Sequence, residues 1–281
     1  MHSIDPFDWT EGLESIAIYS SEKTLIQDKK TSKYVKTNIP GPGCDMDDFE
    51  TQILGCKCEN RLCIETCSCI AKYGTVYDDG KILLSVIDGK NMVPIIECNT
   101  QCTCTADCQN RLIQNGISFK MEVFRSETKG LGLRTIESID PGSFVCEYAG
   151  EILSFEEAKQ RTKRQTEHDM NYVIVVKEHH RTGVMETYVD PSCRGNIGRY
   201  INHSCSPNLS MVPVRVNSMV PKLCLFAVKE IPSLTELTFD YGHASSTTNS
   251  GSVGPPTSSK QCMCGAHDCR GYLPYERLLY E

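Results

Sequence analysis

Long apolar runs are missing from this 281-residue sequence. No stretch approaches the roughly 20 consecutive apolar residues that a membrane-spanning helix needs, and the opening MHSIDPFDWTEG lacks the basic flank and apolar run of an export signal. A membrane partner is therefore set aside and an intracellular protein is expected. Positive charge is also in short supply. The chain carries 29 Lys and Arg against 36 Asp and Glu, a formal net charge of -7, so phosphates have little to attract them and any nucleic-acid contact is expected to be weak or indirect. A basic partner suits this charge better. No repeat of solenoid length is visible. The remaining composition, 40% hydrophobic and 23% charged, suits one globular domain with a sizeable core and smaller modules attached.

Cysteine is present in excess, 17 in all. The cysteines bunch in close sets within a chain longer than a disulfide scaffold, which favours metal binding over disulfides. Cys56, Cys58, Cys63, Cys67 and Cys69 form one set; Cys98, Cys102, Cys104 and Cys108 form a second after an intervening loop. Nine thiols are an odd number, so neither complete internal pairing nor separate four-thiolate sites uses them all. Three tetrahedral zinc ions need twelve bonds, and nine thiolates supply them if three of the sulfurs bridge. Such a cluster adds negative charge, since nine thiolates outweigh the charge of three divalent ions.

A last set, Cys262, Cys264 and Cys269, is one ligand short of a structural site. Cys205 is the expected fourth donor, because Asn202-His203-Ser204-Cys205 is polar, turn-forming and soon followed by Pro207. Bonding to it would clamp the tail across the rest of the chain. Cys44, Cys146, Cys193 and Cys224 are left as free or buried thiols, the second and fourth of them in apolar strand-like runs.

Along the chain, residues 1–43 receive no role and end in the Pro-Gly-rich run 38–43. Residues 44–117 read as the zinc-cluster module, held by metal rather than by apolar sequence. Residues 118–243 read as a mainly β domain with short helices. Its strand-like runs are Phe119 to Phe124, Phe144 to Leu153, Tyr172 to Val176, Thr187 to Asp190, Leu223 to Val228 and Glu236 to Tyr241. Ser154 and Glu157 form a capping-box signature for a polar helix SFEEAKQRTKRQTEHD, whose Lys159, Arg161, Lys163 and Arg164 are expected to face solvent. Residues 244–260, rich in Ser, Thr, Gly and Pro, read as a flexible linker, and residues 261–281 as a second zinc module.

The two cysteine constellations in this order, with FVCEYAGE and NIGRYINHSC between them, resemble the SET-domain lysine methyltransferases that carry pre-SET and post-SET modules. The resemblance runs from about Cys56 to the C-terminus. It implies a SET fold of small curved β-sheets with a knot-like threading at Asn-His-Ser-Cys, flanked by zinc modules that hold three ions and one. It also implies S-adenosylmethionine as cofactor, a histone tail or nucleosome as partner, and a place in the nucleus on chromosomes.

Carried over residue by residue, Lys129-Gly130-Leu131-Gly132 matches the cofactor-binding turn. The family's usual tryptophan is replaced by Leu131, a departure expected to alter packing. Arg199, Asn202 and His203 match the segment that holds the adenosyl part, and Tyr172 the tyrosine beside the methionine part. Tyr241 matches the catalytic tyrosine, Tyr148 a wall of the lysine channel, and Tyr272 a lid contact. Phe239 stands at the product-specificity position, where phenylalanine implies di- or trimethylation. Tyr172, Tyr241 and His203 each also read as ordinary core residues. At the level of the chain, the competing readings are a non-enzymatic zinc-dependent chromatin adaptor, a methyltransferase for non-histone lysines, and a zinc-based nucleic-acid binder. Finger-type Cys/His spacing, which the last would need, is missing.

Overall fold

The computed structural model describes residues 5–29, 32–58, 63–64, 66–87, 94–166, 169–180, 183–242 and 260–281. The linker assigned to 244–260 lies outside them except for Lys260. Among the described residues, no helix is long and apolar enough to cross a membrane.

The architecture is mostly short strands in several small sheets, as expected. One four-stranded sheet runs in the order Ile95–Ile96, Leu209–Arg215, Lys222–Ala227 and Phe144–Tyr148. Lys222–Ala227 and Phe144–Tyr148 are buried along almost their whole length, which is why they read in sequence as continuous apolar runs rather than alternations. Cys146 and Cys224 lie inside this sheet, fully buried as expected, whereas Cys193 is exposed. Leu209–Arg215 gave no sequence signal because Pro213 interrupts it. Among the described residues, its second edge is covered by Ile95–Ile96 at Val214 and Arg215, and none pairs beside the proline on that side.

A second four-stranded sheet joins Ile174–His180, Gly183–Asp190, Glu151–Leu153 and Ile39–Pro40. A third pairs Tyr19–Ser20 with the hairpin Met121–Ser126 and Gly130–Thr135. The second hairpin strand begins within the glycine motif, so that motif is both turn and strand.

The helix Phe155–Arg164 begins where expected and stops short of the predicted end. Ser154 Oγ accepts from the Glu157 amide at 3.2 Å. The reciprocal half of the capping box does not form: the Glu157 carboxylate takes Arg161 Nε at 2.9 Å, and the Ser154 amide donates to Pro42 O. Arg161 consequently corrects the expectation of a solvated basic face. Its guanidinium also pairs with Glu151 at 2.9 Å and Asp190 at 2.8 Å, binding the helix to the sheet beneath.

The described residues between 5 and 43 prove to be a strap. In succession they add parallel edge strands to two sheets, Tyr19–Ser20 beside Glu122 and Val123 and Ile39–Pro40 beside Glu151 and Ile152, and between these Lys33–Tyr34 forms a two-stranded parallel pair with Arg194–Gly195. Trp9, Ile18, Leu25 and Tyr34 from the strap enter the main core with Val123, Leu133, Val145 and Ile201. Edge strands invite unwanted pairing, and the strap covers those edges.

Asp8 organises the start of the strap. Its carboxylate accepts from the Thr10 amide at 2.9 Å, the Thr10 hydroxyl at 2.8 Å, the Gly12 amide at 2.8 Å and the Ile18 amide at 3.1 Å. Burial disfavours the charge, but these donors outweigh it and hold the carboxyl below its usual range. Because the folded pKa is lowered, the stabilisation is present above the unfolded value and is lost as pH falls through the folded one. Asp8→Asn should cost about 1–3 kcal/mol near neutral pH, the penalty of leaving buried donors poorly matched. Chemical denaturation should show the gap between variant and parent closing below pH ~4.

Candidate active site and metal centres

The segment Asn196–Ser204 is positioned by its own side chains. Asn196 Oδ1 accepts from the Gly198 amide at 3.1 Å and the Ala149 amide at 3.2 Å, while its Nδ2 donates to Glu147 O at 2.6 Å. This fastens the short 3-10 turn Ile197–Tyr200 to the end of strand Phe144–Tyr148. Gly198 is required by that approach, because an added Cβ would lie 2.8 Å from Glu147 O. Beyond the turn, Asn202–His203 pairs in parallel with Thr238–Phe239, and the Ser204 amide donates to Phe239 O. Asn208 reinforces the junction, accepting from the Thr238 amide and donating to Glu236 O, both at 2.8 Å.

The residues predicted to hold the cofactor converge here. Asn202 Nδ2 donates to Leu131 O at 3.2 Å and to Glu236 Oε1 at 2.9 Å, and Lys129 pairs with the other oxygen of Glu236 at 2.5 Å. Glu236 thus joins the glycine turn to Asn202. Sequence reasoning missed it, since a single acidic residue inside a strand-like run carries no signal of its partners. Gly130 has φ +78° with open space beyond it, and Gly132 lies so close to Phe124 and Asn202 that a Cβ would clash. The Arg199 guanidinium stands 4.6 Å from the Tyr172 ring, and its buried Nε has no protein partner. A backbone turn open to close approach, an aromatic ring and a buried unmatched donor together fit a polar nucleoside-type cofactor.

The predicted channel residues also come together. Tyr148 meets Phe239 with ring centroids 5.8 Å apart, Phe239 meets Tyr241 at 4.8 Å, and Tyr241 meets His203 at 5.3 Å. The Tyr148 hydroxyl donates to Tyr172 O at 2.5 Å, and the Tyr241 hydroxyl to Ile201 O at 2.9 Å. Each phenol therefore spends its proton on the backbone and turns its lone pairs elsewhere. Burial pushes both phenols above their ordinary range, so both stay protonated near neutral pH. His203 is pushed down to about 4, chiefly by burial, and is neutral there. Tyr272 stands apart, half-exposed and paired with Gln261 at the edge of the tail.

Three overlapping sulfur quartets form in the first cysteine module: Cys56, Cys63, Cys67, Cys98; Cys56, Cys98, Cys102, Cys104; and Cys63, Cys98, Cys104, Cys108. Within each, the sulfurs lie within 4.8 Å of one another. Cys58 Sγ adjoins Cys63 Sγ at 3.8 Å and Cys69 Sγ adjoins Cys102 Sγ at 4.0 Å, so all nine thiols belong to the assembly. A tetrahedral ion with zinc–sulfur bonds of about 2.3 Å sets sulfurs about 3.8 Å apart, the spacing of adjacent thiols here. Donors point at these sulfurs, as thiolates require: the Asn99 amide reaches Cys102 Sγ at 3.2 Å, and Arg111 Nη2 reaches Cys104 Sγ at 3.4 Å. The separate quartet Cys205, Cys262, Cys264 and Cys269 forms as the spacing implied. Both groups could hold zinc, and no cysteine is in a disulfide.

A SET domain model matches residues 130–242 and a Pre-SET motif model residues 10–111. The mouse histone-lysine N-methyltransferase SETMAR is 46% identical over 258 residues, covering 89% of this chain and 83% of the relative. The chain belongs to the SET-domain histone-lysine N-methyltransferases. Its fold matches the crystal structure of the human SETMAR methyltransferase domain with TM-score 0.81 and 39% identity, over 96% of this chain and 98% of that one. KRYPTONITE, solved with mCHH DNA, an H3(1-15) peptide and SAH, matches with TM-score 0.72 and 28% identity, over 95% of this chain and 53% of that one. The Pre-SET match begins inside the strap, ahead of the first clustered cysteine. The protein is an S-adenosylmethionine-dependent protein-lysine methyltransferase.

The tail quartet connects directly to the aromatic row, because Arg270, just past Cys269, donates to Asp240 Oδ1 at 2.7 Å. Neither Arg270 nor Asp240 was legible as a site residue. Cys264→Ser should therefore lower bound zinc by one ion per chain by elemental analysis and weaken cofactor binding by calorimetry. The far-ultraviolet circular dichroism of the β domain should change little, since its two larger hydrophobic cores lie outside the tail and only the small cluster around Leu153 takes in Leu279.

Proposed function

We propose that this SET enzyme methylates a lysine in the tail of histone H3 or a tail of similar charge, and that its product is di- or trimethyllysine. The observation that carries the reading is the aromatic row Tyr148, Phe239, Tyr241, whose two hydroxyls are tied to backbone carbonyls beside the joined glycine turn and Asn202. The net charge of -7, deepened by metal-bound thiolates, suits a basic tail. The H3 peptide in the KRYPTONITE structure supports the choice of tail. A peptide added as an extended strand is the expected mode. We further assign three zinc ions to Cys56, Cys58, Cys63, Cys67, Cys69, Cys98, Cys102, Cys104 and Cys108, and one to Cys205, Cys262, Cys264 and Cys269. A histone substrate places the enzyme in the nucleus, on chromosomes.

S-adenosylmethionine supplies an electrophilic methyl group on a sulfonium. The chain's part is to hold a neutral amine in line with it and to exclude water. Tyr241 presents its hydroxyl lone pairs to that amine, while Tyr148 and Phe239 wall the channel with ring surface that also accepts a methylated ammonium. Lys129, Gly130, Leu131, Gly132, Tyr172, Arg199, Asn202 and His203 line the cofactor's side, and Tyr272 belongs to the lid.

Tyr241→Phe should cost about 100-fold or more in turnover, the scale for removing one preorganised polar group, while zinc content and thermal stability stay near the parent's. Label transfer from S-adenosylmethionine to core histones measures this; cofactor binding without transfer to any lysine would favour the adaptor reading instead. Both phenols remain protonated well above neutral pH, so neither removes the substrate's proton at pH 7. Turnover should accordingly climb as pH rises from 7 to 9, following the neutral fraction of a lysine with pKa about 10.4.

Phe239 is fully buried between Tyr148 and Tyr241. Phe239→Tyr adds a hydroxyl that must find a hydrogen bond, by holding the amine or a water where further methyls would go. Mass spectrometry at saturating cofactor should show the variant stopping at monomethyllysine and the parent proceeding to two or three methyls.

A further inference from the structure

His203 stands between two groups that the reaction and the tail depend on. The Tyr241 amide lies 3.2 Å from His203 Nδ1, and Cys205 Sγ lies 3.3 Å from His203 Nε2. A backbone amide can only donate, so Nδ1 must accept. A neutral imidazole that accepts at Nδ1 carries its proton on Nε2, and that N–H then points at sulfur. Other groups also face the ring, the Phe239 backbone among them. Asp240 Oδ1 is 3.6 Å from Nδ1 but already takes Arg270 Nη2 at 2.7 Å and the Gly242 amide at 3.1 Å. Arg270 Nη2 is 3.4 Å from Nε2 and is a donor only, so it cannot replace the sulfur as acceptor. The Arg270 amide adds a second donor to Cys205 Sγ at 3.4 Å. The imidazole is almost wholly buried and packs edge-on against the Tyr241 ring.

We infer that His203 is a positioning residue that ties the tail zinc site to Tyr241, accepting from the Tyr241 amide at Nδ1 and donating from Nε2 to the Cys205 thiolate. The inference rests on Cys205 as a zinc ligand and Tyr241 as the residue that orients the amine. Metal ligands are held in orientation by such neighbours, and here the neighbour is shared with the catalytic backbone. The metal thereby sets the position of the tyrosine without meeting the substrate. In this arrangement the side chain of His203 serves Tyr241, and the cofactor is left to the backbone of the segment and to Asn202.

Two substitutions separate the two bonds. His203→Asn keeps an acceptor near Nδ1 and loses the reach to sulfur; His203→Gln keeps a donor near Nε2 and loses the acceptor. His203→Asn should lose the tail zinc to a colorimetric chelator at roughly 10- to 100-fold lower competitor concentration. His203→Gln should keep its zinc and lose roughly 10- to 100-fold in kcat with KM for the cofactor little changed. Nitrogen-15 NMR of the parent should show protonated Nε2 and unprotonated Nδ1, and withdrawal of the tail zinc should shift both. An Nδ1–H tautomer, ring signals indifferent to zinc, or a His203→Gln effect confined to cofactor KM would each overturn the inference. Tyr241→Phe tests the underlying reading independently, since full activity there would remove the role of Tyr241 while leaving the NMR result standing.

Discussion

Everything at the site depends on the parallel pairing of two dipeptides, Asn202–His203 with Thr238–Phe239. Strands this short have little stability alone. They persist because Asn208 hydrogen-bonds to Thr238 and Glu236, and because Ile201, Leu237 and Phe239 are buried in the main core on either side. One junction then delivers several groups at once. Asn202 meets the glycine turn, His203 meets the Tyr241 amide, and Cys205 meets the tail cysteines. A register slip of one residue would exchange which side chains face the core and which face the site.

The electrostatics follow a similar economy. Apart from Arg199, which lies over the Tyr172 ring, charged groups near the site are paired with one another: Lys129 with Glu236, Arg270 with Asp240, Arg161 with Glu151 and Asp190. The groups left facing the channel are neutral phenols and a phenyl ring. Such a lining tolerates a neutral amine and a soft cation without offering a base, so the chemistry is governed by alignment and by the shape of the space.

The clustered thiols were the most legible part of the sequence, because cysteine spacing for metal binding is set by the coordination sphere itself, and Cys205 could be picked out by arithmetic and by its polar turn. Tyr148, Phe239, Tyr241, Asn202 and His203 were legible only through likeness to a family, since a strand tyrosine looks the same whether it packs or reacts. Glu236, Asp240 and Arg270 were hidden because their roles exist only between segments. The strap was hidden for a related reason. Its strands are two residues long and parallel, and neither length nor alternation marks them until the edges they cover are known. Strand Leu209–Arg215 was masked by Pro213, a residue whose meaning depends on which edge is open.

The cysteine cluster and the aromatic row are connected through the backbone. Strand Ile95–Ile96 leads directly to Cys98 and pairs with Val214 and Arg215. The Glu97 amide extends that ladder to Arg215 O, while the Thr100 amide donates to Asn217 Oδ1 and the Ile53 amide to Asn217 O. Leu209–Arg215 pairs in turn with Lys222–Ala227, and that strand with Phe144–Tyr148. The ladder therefore runs from the clustered thiols to Tyr148, at one end of the aromatic row. Zinc held by the clustered thiols would fix the segment that leads into this sheet edge, where Ile95 joins an apolar cluster with Phe144 and Phe226, and zinc at the tail quartet would fix the tail beside Tyr241. The aromatic row lies between these two anchors, and its spacing is a property of both.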